Sequence, residues 1–317
     1  MGEFGIGFLP PNGGSGPAED PATRPGCTGY GIGHFDAACR PCELCSMHQG
    51  FGGHMSTFAS ASTPDEEGRV RFQPDWLQGR GIYGGVPAAA MVHQMARILD
   101  RPDCALRSLT VHFCSPIEVG EAWVQAQAVR TGKSVAHMRA DLVQDDRIVA
   151  YSSASFAAPR NVDLQWQERA MPKVRPAADL QPVPIAEIGG PQFAHFFDYR
   201  FGGERLPMTG GDEAILRTWI RPTTPTSIDT GLAVGMLDAM VPAILCRITT
   251  PRIMASVDFR IQLFRPLPLP NVAVESHWLL DAHARVLGDG YAEQITWLFS
   301  PTGELVGSCQ QLIVILG

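Results

Sequence analysis

Asp238 interrupts an apolar stretch, "GLAVGMLDAMVPAIL" (231–245), and it is the first side chain here that invites a chemical reading. A carboxylate taken out of water is costly unless it is paired, and its pKa rises. Pro242 follows four residues later. Its ring clashes with the carbonyl of residue 238, so a helix kinks there and frees a backbone acceptor. A desolvated carboxyl on a distorted helix suits a general base. On the polar stripe of a surface helix the same aspartate would have no such role, and the sequence leaves both readings open.

Three further places hold polar or glycine residues in suggestive patterns. In "ASVDFRIQLF", strand alternation puts Ser256, Asp258 and Arg260 on one face and Val257, Phe259 and Ile261 on the other. That polar face is either a site wall or a solvated surface with a weak ion pair. "VGSCQQLIV" carries Gln310 and Gln311, which as neighbours point to opposite faces. "IYGGVPAAAM" starts a helix at Gly84, Gly85 and Val86. Free N–H groups at such a start can hold an anion, or the glycines serve only a tight turn needing positive φ. GxSxG, HExxH and a phosphate-cradling GxxxxGK[ST] are all missing, so the hydrolases and nucleotide binders they mark are not indicated.

The chain has 317 residues, 45% hydrophobic and 18% charged, with a formal net charge of -7. That balance argues against a nucleic-acid backbone as partner. No apolar run approaches the roughly 18 residues that cross a bilayer, and the N-terminus lacks a secretory pattern, so a cytoplasmic location is expected. Of eight cysteines, Cys104, Cys114, Cys246 and Cys309 are scattered among apolar residues and read as reduced, buried thiols. Cys27, Cys39, Cys42 and Cys45, with His34 or His48, have spacing that could complete a metal shell. Their segment is too rich in Gly and Pro to bury a core. Residues 1–54 are read as a disordered or non-native extension with Met55 as the natural start, and no metal is expected.

Beyond Met55 the chain repeats itself. The first half (55–160) has a glycine turn, an apolar helix in "VPAAAMVHQMARILD", then "LRSLTVHFCSP", "EAWVQAQAVRT", "SVAHMRADLVQDD" and "RIVAYSSASFA" as strands. The second half (191–317) has strands in "FFDYRF" and "AILRTWIR", a helix in "SIDTGLAVGMLDAMVPAIL", and four more strands from "IMASVDFRIQLFRP" to "ELVGSCQQLIVIL". Pro116 and Pro266 lie 150 positions apart, and "RIVAYSS" and "ELVGSCQ" 157 apart. A nearly constant offset marks a tandem duplication. Residues 161–190 are Pro-rich and read as an extended linker. One helix followed by an antiparallel strand run is an α+β pattern, and two such units are expected to set their sheets side by side.

These features resemble the acyl-CoA thioesterase II family, with its tandem (double) hotdog fold of two antiparallel sheets, each wrapped around one central helix. The likeness rests on "IYGGVPAAAM", "LTVHFCSPIEVGE" and "RTGKSVAHMRADLVQDDRIVAYSSASF" in the first half and "GDGYAEQITWLFSPTGELVGSCQQ" in the second, and runs from Gln73 to the C-terminus apart from the linker. It implies hydrolysis of an acyl-CoA thioester to free acid and CoA, without a cofactor, by a chain that pairs further into dimers or tetramers. It also implies that Asp238 activates the hydrolytic water, that Ser256 stands where the family usually has threonine, and that Gln311 orients the water, a one-residue slip making it Gln310. Gly84, Gly85 and Val86 then become candidates for the oxyanion donors. The first-half helix has no acid, only His93 and Gln94, so one active site per chain is expected and His93 reads as a satisfied interface histidine. Two rivals remain. A hotdog hydratase or dehydratase would want a histidine shortly after Asp238, which is missing. A non-catalytic acyl-CoA- or lipid-binding double hotdog would keep the apolar pocket without hydrolysis.

Overall fold

The computed structural model describes residues 56–316. The expectations for residues 1–54, including the cysteine and histidine group, lie outside the described residues. The first half comprises α1 (Phe58–Ser62), β1 (Arg69–Phe72), a small hairpin of β2 (Leu77–Gln78) and β3 (Gly81–Ile82), α2 (Gly85–Leu99), β4 (Ala105–Phe113), β5 (Gly120–Thr131), β6 (Val135–Gln144) and β7 (Arg147–Ala157). The second comprises β8 (Phe197–Phe201), β9 (Ile215–Pro222), α3 (Thr230–Asp238), β10 (Ile253–Leu263), β11 (Trp278–Gly288), β12 (Tyr291–Phe299) and β13 (Leu305–Leu316).

Local chemistry accounts for the elements. Strand β6 buries Ala136, Met138, Ala140 and Leu142 and turns His137, Arg139 and Asp141 away from the core, the period-two pattern of a half-buried strand. Helix α2 is apolar on most of its surface, starts with Pro87 in its first turn and ends at Asp100 in the left-handed region (φ 49°). Thr57 and Ser60 cap α1 reciprocally.

The two expected sheets are one. All strands but β2 and β3 join a single 11-stranded antiparallel sheet in the order β1-β5-β6-β7-β4-β10-β13-β12-β11-β9-β8. The halves meet where β4 pairs with β10, with His112 opposite Asp258 and Thr110 opposite Arg260. Pairing these strands satisfies two edges that separate sheets would leave open. Helices α2 and α3 pack against each other: Tyr83, just before α2, donates its hydroxyl to the Gly235 carbonyl in α3, and a Cβ on Gly231 would overlap the His93 ring. One helix for each half of the sheet, repeated in tandem, is the double hotdog.

The duplication extends to an irregularity. β4 slips register between Leu106 and Ser108, and β10 slips between Ser256 and Asp258. The two bulges sit at the same place in each copy.

Three expectations need correction. The stretch 227–245 is not one kinked helix: α3 stops at Asp238, and a short 3₁₀ turn resumes at Ala243–Arg247. Pro242 lacks the N–H that would continue the ladder, and the chain leaves the helix before it. Second, Thr230–Arg247 does have the length and mean hydropathy (1.4) of a membrane-crossing segment, but 78% of it is buried within the fold. Third, only Cys246 and Cys309 of the four expected thiols are buried: Cys104, just before β4, is half-buried, and Cys114 is exposed because β4 ends one residue earlier.

Residues 158–191 cross the second half with a single 3₁₀ turn at Ala177–Asp179. They are strapped to the sheet. Asp281, 1% exposed, accepts from Arg169 at 2.7 Å and Arg217 at 3.2 Å and lies 2.9 Å from His283 Nε2. The Arg169 guanidinium also lies 3.3 Å over the Trp297 ring. After this strap, a 3₁₀ turn at Gln192–Phe196 carries two aromatic rings back to the first half. Phe193 stacks on Tyr83 at 3.9 Å and Phe196 on Trp76 at 3.8 Å.

Candidate active site

Asp238 is the last residue of α3, and its surroundings explain why it is held there. Tyr83 and Tyr199 donate to the carbonyls of Gly235 and Ala239, the latter at 3.1 Å, so the frayed end of the helix is satisfied by side chains. The carboxyl meets the start of α2. The Gly85 N–H donates to it, where the helix dipole favours a negative charge. A Cβ on Gly84 would lie 2.9 Å from Asp238 Oδ2 and 2.8 Å from the Phe113 ring, so only glycine lets the two helices approach this closely.

The other carboxyl oxygen is fixed from the sheet. Gln311 Nε2 donates to Asp238 Oδ1 at 2.8 Å and reaches Ser256 Oγ at 3.4 Å. Gln311 is 5% exposed and faces inward; Gln310 faces out and donates to Glu293 at 3.2 Å. Ser256 faces inward too, but not by simple alternation. Expected to share a face with Asp258 and Arg260, it instead shares the inner face with Phe259 and Ile261, because the extra residue Val257 at the bulge reverses the parity. Asp258 and Arg260 point to the outer face.

Burial pushes the Asp238 pKa up to about 7, and this outweighs the hydrogen bonds from Gly85 and Gln311, which pull it down. The group therefore changes charge near neutral pH. It stands where two cavities meet. One, of about 80 Å³, runs between the β2–β3 hairpin, the end of β4 and the start of β10, past Gly84 and Phe113. The other, of about 40 Å³, is more enclosed and mostly apolar. Gln78, Asp238 and Ser256 line both.

Of the three residues at the start of α2, Gly85 gives its N–H to Asp238 and Val86 gives its own to the Tyr83 carbonyl at 3.1 Å. Gly84 has no acceptor for its N–H among the described residues and lines the larger cavity. Neither Gly84 nor Gly85 has a positive φ, so close approach rather than a left-handed turn is the reason for glycine.

Two residues escaped the sequence reading. Gln294 on β12 donates to Gln311 Oε1 at 3.3 Å and accepts from the Ala243 N–H at 2.7 Å. This sets which way the Gln311 amide points, with Nε2 toward Asp238. A polar residue at an inward position of "YAEQITW" was the available signal. Gln78 lies on the short hairpin and had no periodic signal at all.

The first half holds the mirror image of this cluster with the chemistry removed. Gln311 pairs with Phe259 and Gln294; at the matching positions Ala154 pairs with Leu109 and Met138. Leu106 precedes the bulge where Ser256 does. His93 abuts the start of α3 much as Asp238 abuts the start of α2, and its Nδ1 lies 2.8 Å from the Ser62 carbonyl. Leu106, Met138 and Ala154 are all buried.

Several comparisons agree with this architecture. An Alicyclobacillus acidocaldarius protein described as a conserved hot dog fold protein of unknown function is 22% identical, with a TM-score of 0.73 over 82% of this chain and 98% of that one. A putative thioesterase II from Thermobifida fusca is 18% identical, with a TM-score of 0.69 over 83% and 98%. An acyl-CoA thioesterase II from Mycobacterium marinum is 20% identical, with a TM-score of 0.62 over 78% and 92%. At these identities the likeness speaks for the fold. No curated protein matches the sequence. The family assignment comes from two family models, described as the acyl-CoA thioesterase N-terminal domain over residues 72–157 and the C-terminal domain over 169–315. Matched in tandem and in the order of the two structural halves, they show that the chain belongs to the acyl-CoA thioesterase family.

Proposed function

We propose that this protein hydrolyses an acyl-CoA thioester to the free acid and CoA, with Asp238 as the general base. The observation that carries the proposal is the position of Asp238: a carboxyl with its pKa raised to about 7, hydrogen-bonded to Gln311 at the junction of two cavities.

A water seated between Asp238 and Ser256 gives its proton to the carboxylate as its oxygen attacks the thioester carbonyl. Gln311 holds one carboxyl oxygen and reaches toward Ser256, which limits where that water can sit. The carbonyl oxygen becomes an oxyanion, and the Gly84 N–H is the donor at the start of α2 left to receive it. The tetrahedral adduct collapses by breaking its C–S bond. The proton held by Asp238 passes to the departing sulfur, and the acid leaves with the water's oxygen. A base with a pKa near 7 is matched to this exchange, since it both takes and returns the proton at neutral pH. No histidine lines either cavity, which weighs against hydratase chemistry built on an aspartate–histidine pair.

Release of free CoA thiol from acyl-CoA esters of graded chain length, wild type against Asp238→Asn, tests the reading. Turnover in the wild type that falls by about a thousandfold in Asp238→Asn is expected, the middle of the range for a lost general base. Equal turnover in both proteins removes Asp238 as the base. Binding without turnover at any length makes the protein an acyl-CoA carrier instead.

A further inference from the structure

A larger cavity lies directly behind one wall of the smaller one. The cavity of about 40 Å³ starts at Asp238, Ser256 and Gln311 and continues between Met240, Val241 and Phe193. A separate cavity of about 270 Å³ lies between residues 182–187 and the outer side of β8 and β9. Ile185, Ala194 and Tyr199 line both, so these three side chains form the partition. Tyr199 is held by its bond to the Ala239 carbonyl, and Ala194 has little to remove. Ile185 is the movable part of the wall.

Ile185 is nonetheless held firmly. Val183 donates its N–H to the Tyr199 carbonyl at 2.7 Å, and Gly190 donates to the Ile185 carbonyl at 2.8 Å. The Gly190 backbone lies so close that a Cβ there would overlap Ile185 Cγ2. The Pro-rich segment between the halves therefore ends in a tight loop whose buried apolar side chain, 6% exposed, closes the cavity beside the catalytic carboxyl.

Resting on the thioesterase reading above, we propose that Ile185 sets the acyl-chain length: the cavity of about 40 Å³ takes the acyl tail, and the cavity of about 80 Å³ beside the β2–β3 hairpin takes the thiol side of the substrate. A cavity of about 40 Å³ has room for only a few water-sized groups, which favours a short acyl group. Longer chains meet Ile185. Removing its side chain beyond Cβ joins the small cavity to the one of about 270 Å³.

The test is the ratio of kcat/KM for octanoyl-CoA to that for butyryl-CoA, in the wild type, Ile185→Val and Ile185→Ala, with thermal melting of each. Binding of non-hydrolysable thioether analogues of the same chain lengths is measured in parallel by calorimetry. The expected result is a wild-type ratio below about one tenth that rises at least about tenfold in Ile185→Ala and by less in Ile185→Val, in keeping with the effect of methylene-sized changes in an apolar pocket. A wild type that prefers octanoyl-CoA, or a ratio unmoved in a normally folded Ile185→Ala, overturns the proposal while leaving thioesterase activity intact. If no ester is hydrolysed, the thioesterase reading fails and the thioethers decide this one: a length cut-off relieved in Ile185→Ala supports the pocket, and no cut-off overturns it.

Discussion

Replacing Asp238 by Asn reaches beyond activity, because the carboxyl proposed as the base also strains the fold. A folded-state pKa raised from 3.8 to about 7 means that the folded protein holds a proton which the unfolded chain has released. Stability therefore falls as pH rises from about 4 to about 7 and is flat above that. At about 1.4 kcal/mol per pH unit, ionised Asp238 costs the fold up to about 4 kcal/mol, of which about 3 kcal/mol develops between pH 5 and pH 9. Asparagine does not titrate. It keeps an acceptor for Gln311 but presents an amide nitrogen to the Gly85 N–H or the reverse, losing one hydrogen bond worth about 1 kcal/mol. Urea unfolding of both proteins at pH 5 and pH 9 isolates the effect, since every other titrating group is common to both. Asp238→Asn should be near the wild type in stability at pH 5 and about 3 kcal/mol more stable at pH 9. Wild-type kcat/KM should run the other way, rising with pH through about 7 as the base ionises. A stability difference that is the same at both pH values would refute the reasoning, because it would mean that the protein does not shift this carboxyl.

Other expectations are more local. Gly84→Ala would put a methyl 2.9 Å from Asp238 Oδ2 and 2.8 Å from the Phe113 ring; it should lower kcat by at least about tenfold and cost about 1–3 kcal/mol of stability, read by thiol release and thermal melting. Gln294→Met, which installs the residue found at the mirror position, frees the Gln311 amide to flip; kcat should fall about tenfold with KM nearly unchanged in steady-state kinetics. Burial alone would raise the pKa of Asp281, but His283, Arg169 and Arg217 outweigh it and hold it below the usual carboxylate value. Its contribution is thus present above the unfolded pKa and lost as pH falls through the folded one. Asp281→Asn should cost about 3 kcal/mol at neutral pH, seen in urea unfolding, and flatten the acid limb of the stability profile.

The parts of the site legible in the sequence were those that depend on near neighbours. Asp238 stood out because the residues around it are apolar, and that same apolar setting raises its pKa. The loss of chemistry in the first half was visible in "VPAAAMVHQMARIL", a helix without an acid. Gln311 could be narrowed to one of two residues and no further, because a strand's alternation says that neighbours differ in face without saying which face is the core. Ser256 was placed on the wrong side of its strand relative to Asp258 because a bulge leaves no mark in local alternation; it is defined by how β10 pairs with β13. Gln78 and Ile185 were invisible as site residues, since a two-residue strand and a linker have no period to read.

What the sequence determined by itself was the duplication, one helix per antiparallel unit, and the single acid present in one copy of the helix. Those follow from composition, spacing and solvation, which act over a few residues at a time. Tertiary structure decided the merging of two sheets into one through β4 and β10, the end of α3 at Asp238, the inward turn of Ser256, the N–H at the start of α2 that stays open, and the reach of the linker into the pocket wall. Each of these depends on which distant backbone lies alongside, and strand register, helix contact and cavity shape are properties of that pairing.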